Sequence, residues 1–229
     1  MNKRDFLKTA FLLLFVYYLN ISQGIGQSNF IDHKLNVGIR VGVNSGIGSN
    51  THVSENFITP SLLNYMQSGY TGEIFAELKF LPYAGVYAGV TATNFSEWKG
   101  PENNNIYDGS SCEFIDFRPG ISFFTPFKKS GLLNKANLIL SVGPIFSQLT
   151  MNYGDVFQPK PTTNTNSNGL FAITSINYSL SQSLFITLAY SINNLRSTSE
   201  LSIQENYQYH NFNVGIGIQL LKNKKYLYD

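Results

Sequence analysis

The chain has 229 residues, 43% of them hydrophobic and 14% aromatic but only 13% charged, with a formal charge of +2 and a mean hydropathy of −0.08. Beyond the N-terminus no run reaches the roughly 20 apolar residues of a spanning helix, which excludes a helical membrane protein. Near-neutrality argues against a nucleic-acid partner, which needs a concentrated basic patch, and the lone Cys112 excludes an intramolecular disulfide.

The first segment, MNKRDFLKTAFLLLFVYYLNISQGIGQ, has a basic start (Lys3, Arg4, Lys8), an apolar run from Ala10 to Leu19, and small residues at Gly24 and Gly26. This is the pattern of a secretory signal over residues 1–26, cut between Gly26 and Gln27. Its removal takes three of the 16 basic and one of the 14 acidic residues, so residues 27–229 are formally neutral.

From there the dominant signal is a two-residue period. Leu35, Val37, Ile39, Val41 and Val43 alternate with Asn36, Gly38, Arg40, Gly42 and Asn44, predicting a strand over 35–44. A polar connection, 45–69, follows; Thr59-Pro60 before SLLNYMQS has the form of a helix start, so a short helix is expected there. The second strand, 70–80, places Ile74, Ala76, Leu78 and Phe80 on one face and Glu73, Phe75, Glu77 and Lys79 on the other. After the Leu81-Pro82 turn, the third strand, 83–95 (YAGVYAGVTATNF), is so rich in small residues that its faces are not assigned by pattern.

A connection at 96–111 leads to the fourth strand, 112–124. There Ile115, Phe117, Pro119, Ile121 and Phe123 oppose Asp116, Arg118, Gly120 and Ser122, and Pro119, having no N–H, predicts a bulge or break. The fifth strand, 136–150, turns Leu138, Leu140, Val142, Pro144 and Phe146 to one side. The run PKPTTNTNSN within 151–167 reads as a mobile connection. The sixth and seventh strands, 169–180 and 184–195, are separated only by Ser181, Gln182 and Ser183. The cleanest alternation is the last, His210–Leu220: Phe212, Val214, Ile216, Ile218 and Leu220 against Asn211, Asn213, Gly215, Gly217 and Gln219.

Eight strands with connections that alternate long and short predict an all-β, eight-stranded antiparallel up-and-down transmembrane β-barrel, with long loops at one rim and both termini at the other. Strands of about ten to thirteen residues suit a tilted membrane crossing better than the five or six typical of soluble sheets. Aromatics near strand ends, among them Tyr70, Phe80, Phe95, Phe146 and Tyr178, read as interface girdles.

The inward set contains Arg40, Glu73, Glu77, Lys79, Asp116 and Arg118, three charges of each sign. Buried charge must be paired, so these six are expected to form an ionic network; a selectivity filter or proton relay is the alternative use. An eight-stranded lumen, filled by its own side chains, favours the plug. His210, Ser202 and Glu205, close in sequence, are the only candidate set for a lipid hydrolase, and spacing alone does not make a triad. No metal-ligand spacing and no cofactor motif is present.

The segments GYTGEIFAELKF, YAGVYAGV, FIDFRPGISFF, LILSVGPIF, LFITLAYSINNL and NFNVGIGIQL, taken in order, resemble the PorT-like outer-membrane β-barrel family of Bacteroidetes. The resemblance implies an eight-stranded barrel delivered to the outer membrane and, by name, a secretion-accessory role. Taken with the long loops, the chain is expected to contact outer-membrane lipid and to serve a structural, adhesion or secretion-accessory role with envelope or secretion-system partners, without catalysis. The resemblance also implies that the last strand, through Asn213, Gly215, Ile218 and Leu220, is read by the barrel-assembly machinery. The aliphatic Ile218 and Leu220 depart from the aromatic form of that signal. A soluble lipocalin-like barrel around a small apolar ligand is the competing architecture, and requires the apolar faces to point inward.

Overall fold

The computed structural model describes residues 34–47, 66–81, 83–98, 111–126, 135–152, 162–198 and 204–220. The expected signal segment, its cleavage point and residues 59–65 of the expected helix lie outside them. Met66–Ser68, the end of that helical reading, belong to a strand instead.

Eight strands close into one barrel in sequence order: β1 (Lys34–Ile47), β2 (Met66–Lys79), β3 (Ala84–Trp98), β4 (Ser111–Pro126), β5 (Ala136–Asn152), β6 (Thr162–Ser179), β7 (Leu184–Thr198) and β8 (Gln204–Gln219). Every neighbouring pair is antiparallel, including β1 with β8, so no edge is left open. This is the expected eight-stranded architecture. The apolar sides of the alternating strands point out: Ile39, Val41, Ile74, Ile115, Ile121, Leu188 and Ile216 are all exposed. Over these stretches the inverted faces that the lipocalin-like reading needs are not observed.

The register fixes the geometry. Successive partners run from Lys34 through Lys79, Gly85, Ser122, Ser141, Ile173, Ser191 and Asn211 back to Asn44, ten residues further along β1. With about 3.3 Å per residue and about 4.8 Å between strands, that advance tilts the strands by about 40° and makes each residue rise about 2.5 Å along the barrel axis.

The faces of β3, unassigned by pattern, are now clear: Tyr87, Thr91, Thr93 and Phe95 are buried in the lumen and Val86, Ala88, Val90 and Ala92 face out. The break expected at Pro119 is present without a change of register. Pairing of β4 with β5 is interrupted between Phe117↔Phe146 and Ile121↔Val142, where the register sets Pro119 against Pro144. Neither proline can donate to the ladder.

The strands run past their alternating apolar stretch toward the long-connection rim, by about four residues on β1, β2 and β4 and by more on the others. β6 begins at Thr162, inside the run expected to be mobile, and residues 162–168 pair with β5 from Phe146 to Asn152. Outside, the apolar stretches end at a common level marked by Val43, Tyr70, Ala92, Ile115, Phe146, Leu170, Ile192 and Phe212. Above that level the outer surface is Glu113, Gln148, Asn166, Asn194, Arg196 and Gln208, all exposed. The strands thus form an apolar band with a polar collar rising roughly 10 Å above it.

Candidate functional site

The lumen at the level of the apolar band holds the charged cluster. Arg40 Nη1 lies 3.1 Å from Glu73 Oε2, and its Nη2 lies 3.5 Å from Glu77 Oε1. Arg118 Nη2 lies 2.7 Å from Asp116 Oδ2, and its Nη1 is 3.7 Å from Glu73 Oε1. Glu73 therefore bridges the two arginines. The chain of ion pairs runs Glu77, Arg40, Glu73, Arg118, Asp116 across β1, β2 and β4. All five side chains are 3% exposed or less, so each charge depends on its partners rather than on solvent.

The structure brings together five of the six charges expected here. Lys79 shares the lumen face but stands nearer the short-turn rim, its Nζ 5.9 Å from the centre of the Phe124 ring. It lines a small cavity of about 90 Å³ with Lys34, Asn36, Asn177 and Gln219. In the ion-pair chain itself two guanidiniums face three carboxylates, and neutral donors supply the remainder. Tyr87 donates to Glu73 Oε1 and Tyr209 to Asp116 Oδ2. Asn177 Nδ2 donates to Glu77 Oε2 at 3.3 Å, and Asn36 Nδ2 reaches the same oxygen at 3.5 Å. Hydrogen bonds to a buried carboxylate stabilise its charged form and restrict its rotamer.

Tyr87 was hidden because the small residues around it left the faces of β3 unassigned, and Tyr209 because it lies just before the expected start of the last strand. The parity of β8 could have found Tyr209, which alternates in phase with Asn211 and Asn213 rather than with Phe212. Phe95, expected in a girdle, is 1% exposed and belongs to the lumen, edge-on to Phe114 and Tyr209.

Small residues make room for this filling. A Cβ on Gly38 would lie 2.7 Å from the Phe75 ring, and one on Gly215 would lie 2.8 Å from Arg40 Cγ. The Phe75 ring in turn lies 3.7 Å from Arg40 Cζ, stacking a cation on an aromatic face. Gly215, one of the four expected assembly-signal positions, thus has a packing role beside Arg40. Asn213, also of that set, is buried in the lumen, while Ile218 and Leu220 face out.

Above the ionic layer the lumen is closed by Phe95, Phe114, Cys112, Leu149, Leu195 and Tyr207, all buried. Among the described residues, ions below and aromatics above fill the lumen with buried side chains. Of the hydrolase set, Ser202 lies outside the described residues. His210 faces outward, sharing a hydrogen bond between Nδ1 and the Tyr190 hydroxyl, with Gln208 Nε2 3.4 Å from its Nε2.

No family model matches the chain, and no curated protein matches it. Solved structures do. The outer membrane protein OprG from Pseudomonas aeruginosa is 11% identical with a TM-score of 0.50, over 82% of this chain and 95% of that one. Neisserial surface protein A is 12% identical with a TM-score of 0.48, over 82% and 97%. Ail of Yersinia pestis is 10% identical with a TM-score of 0.44, over 82% and 98%. At these identities the likeness is one of fold: small closed β-barrels.

Proposed function

We propose that this chain is a non-catalytic outer-membrane barrel whose lumen is plugged and whose collar and long connections carry its contacts with other envelope components. The observation that carries the reading is the outward apolar band. It runs about nine to eleven residues on each strand, which at the tilt derived from the register is about 25 Å, the height of the lipid-facing band of such barrels. Aromatics border it on both sides, Tyr70 and Phe146 above, Phe80 and Tyr178 below. The likeness in fold to OprG supports the same location. In this reading residues 1–26 are the removed secretory signal, and the last strand is what the assembly machinery recognises through Asn213, Gly215, Ile218 and Leu220.

The PorT-like resemblance suggests a secretion-accessory role by name, beside an adhesion or a purely structural one. A plugged lumen fits an anchor for partners better than a conduit. The test is cell fractionation combined with gel mobility before and after boiling. Recovery in outer-membrane envelopes with a heat-dependent shift supports the reading. Recovery as a soluble protein without detergent overturns it.

A further inference from the structure

We propose that the outer wall over β4–β7 holds one lipid of the outer leaflet, a phosphorylated glycolipid, at the line where band gives way to collar. The proposal rests on the outer-membrane reading above and deepens it. Its core is a single cross-strand row of registered partners, Val90, Phe117, Phe146, Asn168 and Arg196, all facing outward. Because partners rise around a tilted barrel, the row climbs from aliphatic through aromatic to carboxamide to guanidinium. That is the polarity sequence of a lipid, from chain to headgroup.

Two grooves flank the row. One, about 470 Å³, lies between Ile115 and Phe117 on one side and Asn166 and Asn168 on the other. The second, about 480 Å³, lies between Pro144 and Leu170 below and Asn194 and Arg196 above. Phe146 and Asn168 line both, so the Phe146 ring stands between two grooves, each apolar on one side and edged by carboxamides on the other. Two acyl chains of one molecule fit either side of that ring.

The rim selects the headgroup. Arg196 is the one arginine or lysine on the outer face of the collar among the described residues, and a guanidinium binds phosphate in a bidentate fork. Glu113, the carboxylate of the same collar, stands three strands away on β4 and receives Asn94 Nδ2 at 3.2 Å. Gln148, Asn166, Asn168 and Asn194 add carboxamides, each able to donate and accept, the complement of sugar hydroxyls. A phospholipid satisfies the arginine but offers little to this row of amides. Elsewhere on the same boundary the residues above the band include Ser45, Ser68 and Asn94, and the last of these is engaged with Glu113.

The experiment titrates the purified full barrel in detergent with three probes, read by native mass spectrometry. They are a monophosphorylated acylated glucosamine disaccharide, the same lipid without phosphate, and phosphatidylglycerol. The phosphorylated disaccharide is expected to bind about tenfold more tightly than its dephosphorylated form, the scale of one charge-assisted contact. Arg196→Gln should abolish that preference, and Lys135→Gln, an exposed cation at the opposite rim, should keep it. Asn168→Ala should weaken both disaccharides against phosphatidylglycerol, and serves if the arginine variant loses heat-modifiable mobility. Equal affinity for the two disaccharides, or a preference that survives Arg196→Gln, overturns the site. Phosphatidylglycerol bound as tightly as the phosphorylated disaccharide overturns the glycolipid assignment. A chain that is soluble without detergent fails before any lipid is added, which separates loss of the membrane reading from loss of the site.

Discussion

The wall of this barrel has two storeys built from the same strands. In the band, apolar side chains face out and Arg40, Glu73, Glu77, Asp116 and Arg118 face in; in the collar, Glu113, Gln148, Asn166 and Arg196 face out and Phe95, Phe114, Leu149 and Leu195 face in. β4 and β7 pass from one storey to the other without changing their alternation, whereas β2 shifts register against β3 between Met66 and Gly69, just above the boundary. β4 makes the passage between Ile115 and Glu113 outside, and between Asp116 and Phe114 inside. The comparison teaches that alternation fixes only which residues share a face. Whether the apolar face is outside or inside follows from the surrounding medium, and here it reverses along a single strand.

Four substitutions probe that difference, Leu188→Arg and Asn194→Arg as a pair, in descending order of effect. Arg118→Ala removes the cation shared by Asp116 and Glu73 and leaves two buried carboxylates short of a partner. Folding into lipid vesicles, followed by urea titration, is expected to lose about 3–5 kcal/mol; a loss under about 1 kcal/mol would mean that the lumen is wet and the plug only nominal. Leu188→Arg, near the middle of the band, should cost about 2–4 kcal/mol in the same assay, whereas Asn194→Arg, six residues up β7 in the collar, should cost less than about 0.5 kcal/mol. Equal effects at the two positions would erase the boundary between storeys. Leu149→Ala, in the inner core of the collar, should cost about 2 kcal/mol as an ordinary cavity, and its cost should be the same in detergent and in lipid because its surroundings touch neither.

The band was legible in the sequence and the collar was not. Phe212 to Leu220 announces its strand because lipid demands an apolar residue at every second position, and the same demand wrote the pattern of Leu184 to Ile192. Above the boundary water makes no such demand, so Thr162–Ser167 pairs with β5 while reading as a polar connection. β3 hid its faces for another reason: Ala88 and Ala92 outside and Gly85 and Gly89 inside carry too little side chain to show a preference. Of the ionic network, the five charges were visible by parity alone, since Arg40, Glu73, Glu77, Asp116 and Arg118 each sit between apolar neighbours. Which acid meets which arginine was not visible, because it depends on the stagger that closes the barrel.

That stagger of ten residues also governs how this gene can change. One residue inserted within a strand turns everything beyond it inside out, placing guanidinium against hydrocarbon and isoleucine against carboxylate; two inserted residues restore the faces but shift every later pairing. The long connections carry no such parity. Length variation among descendants of this chain should therefore collect at one rim, while the band accumulates exchanges of like for like.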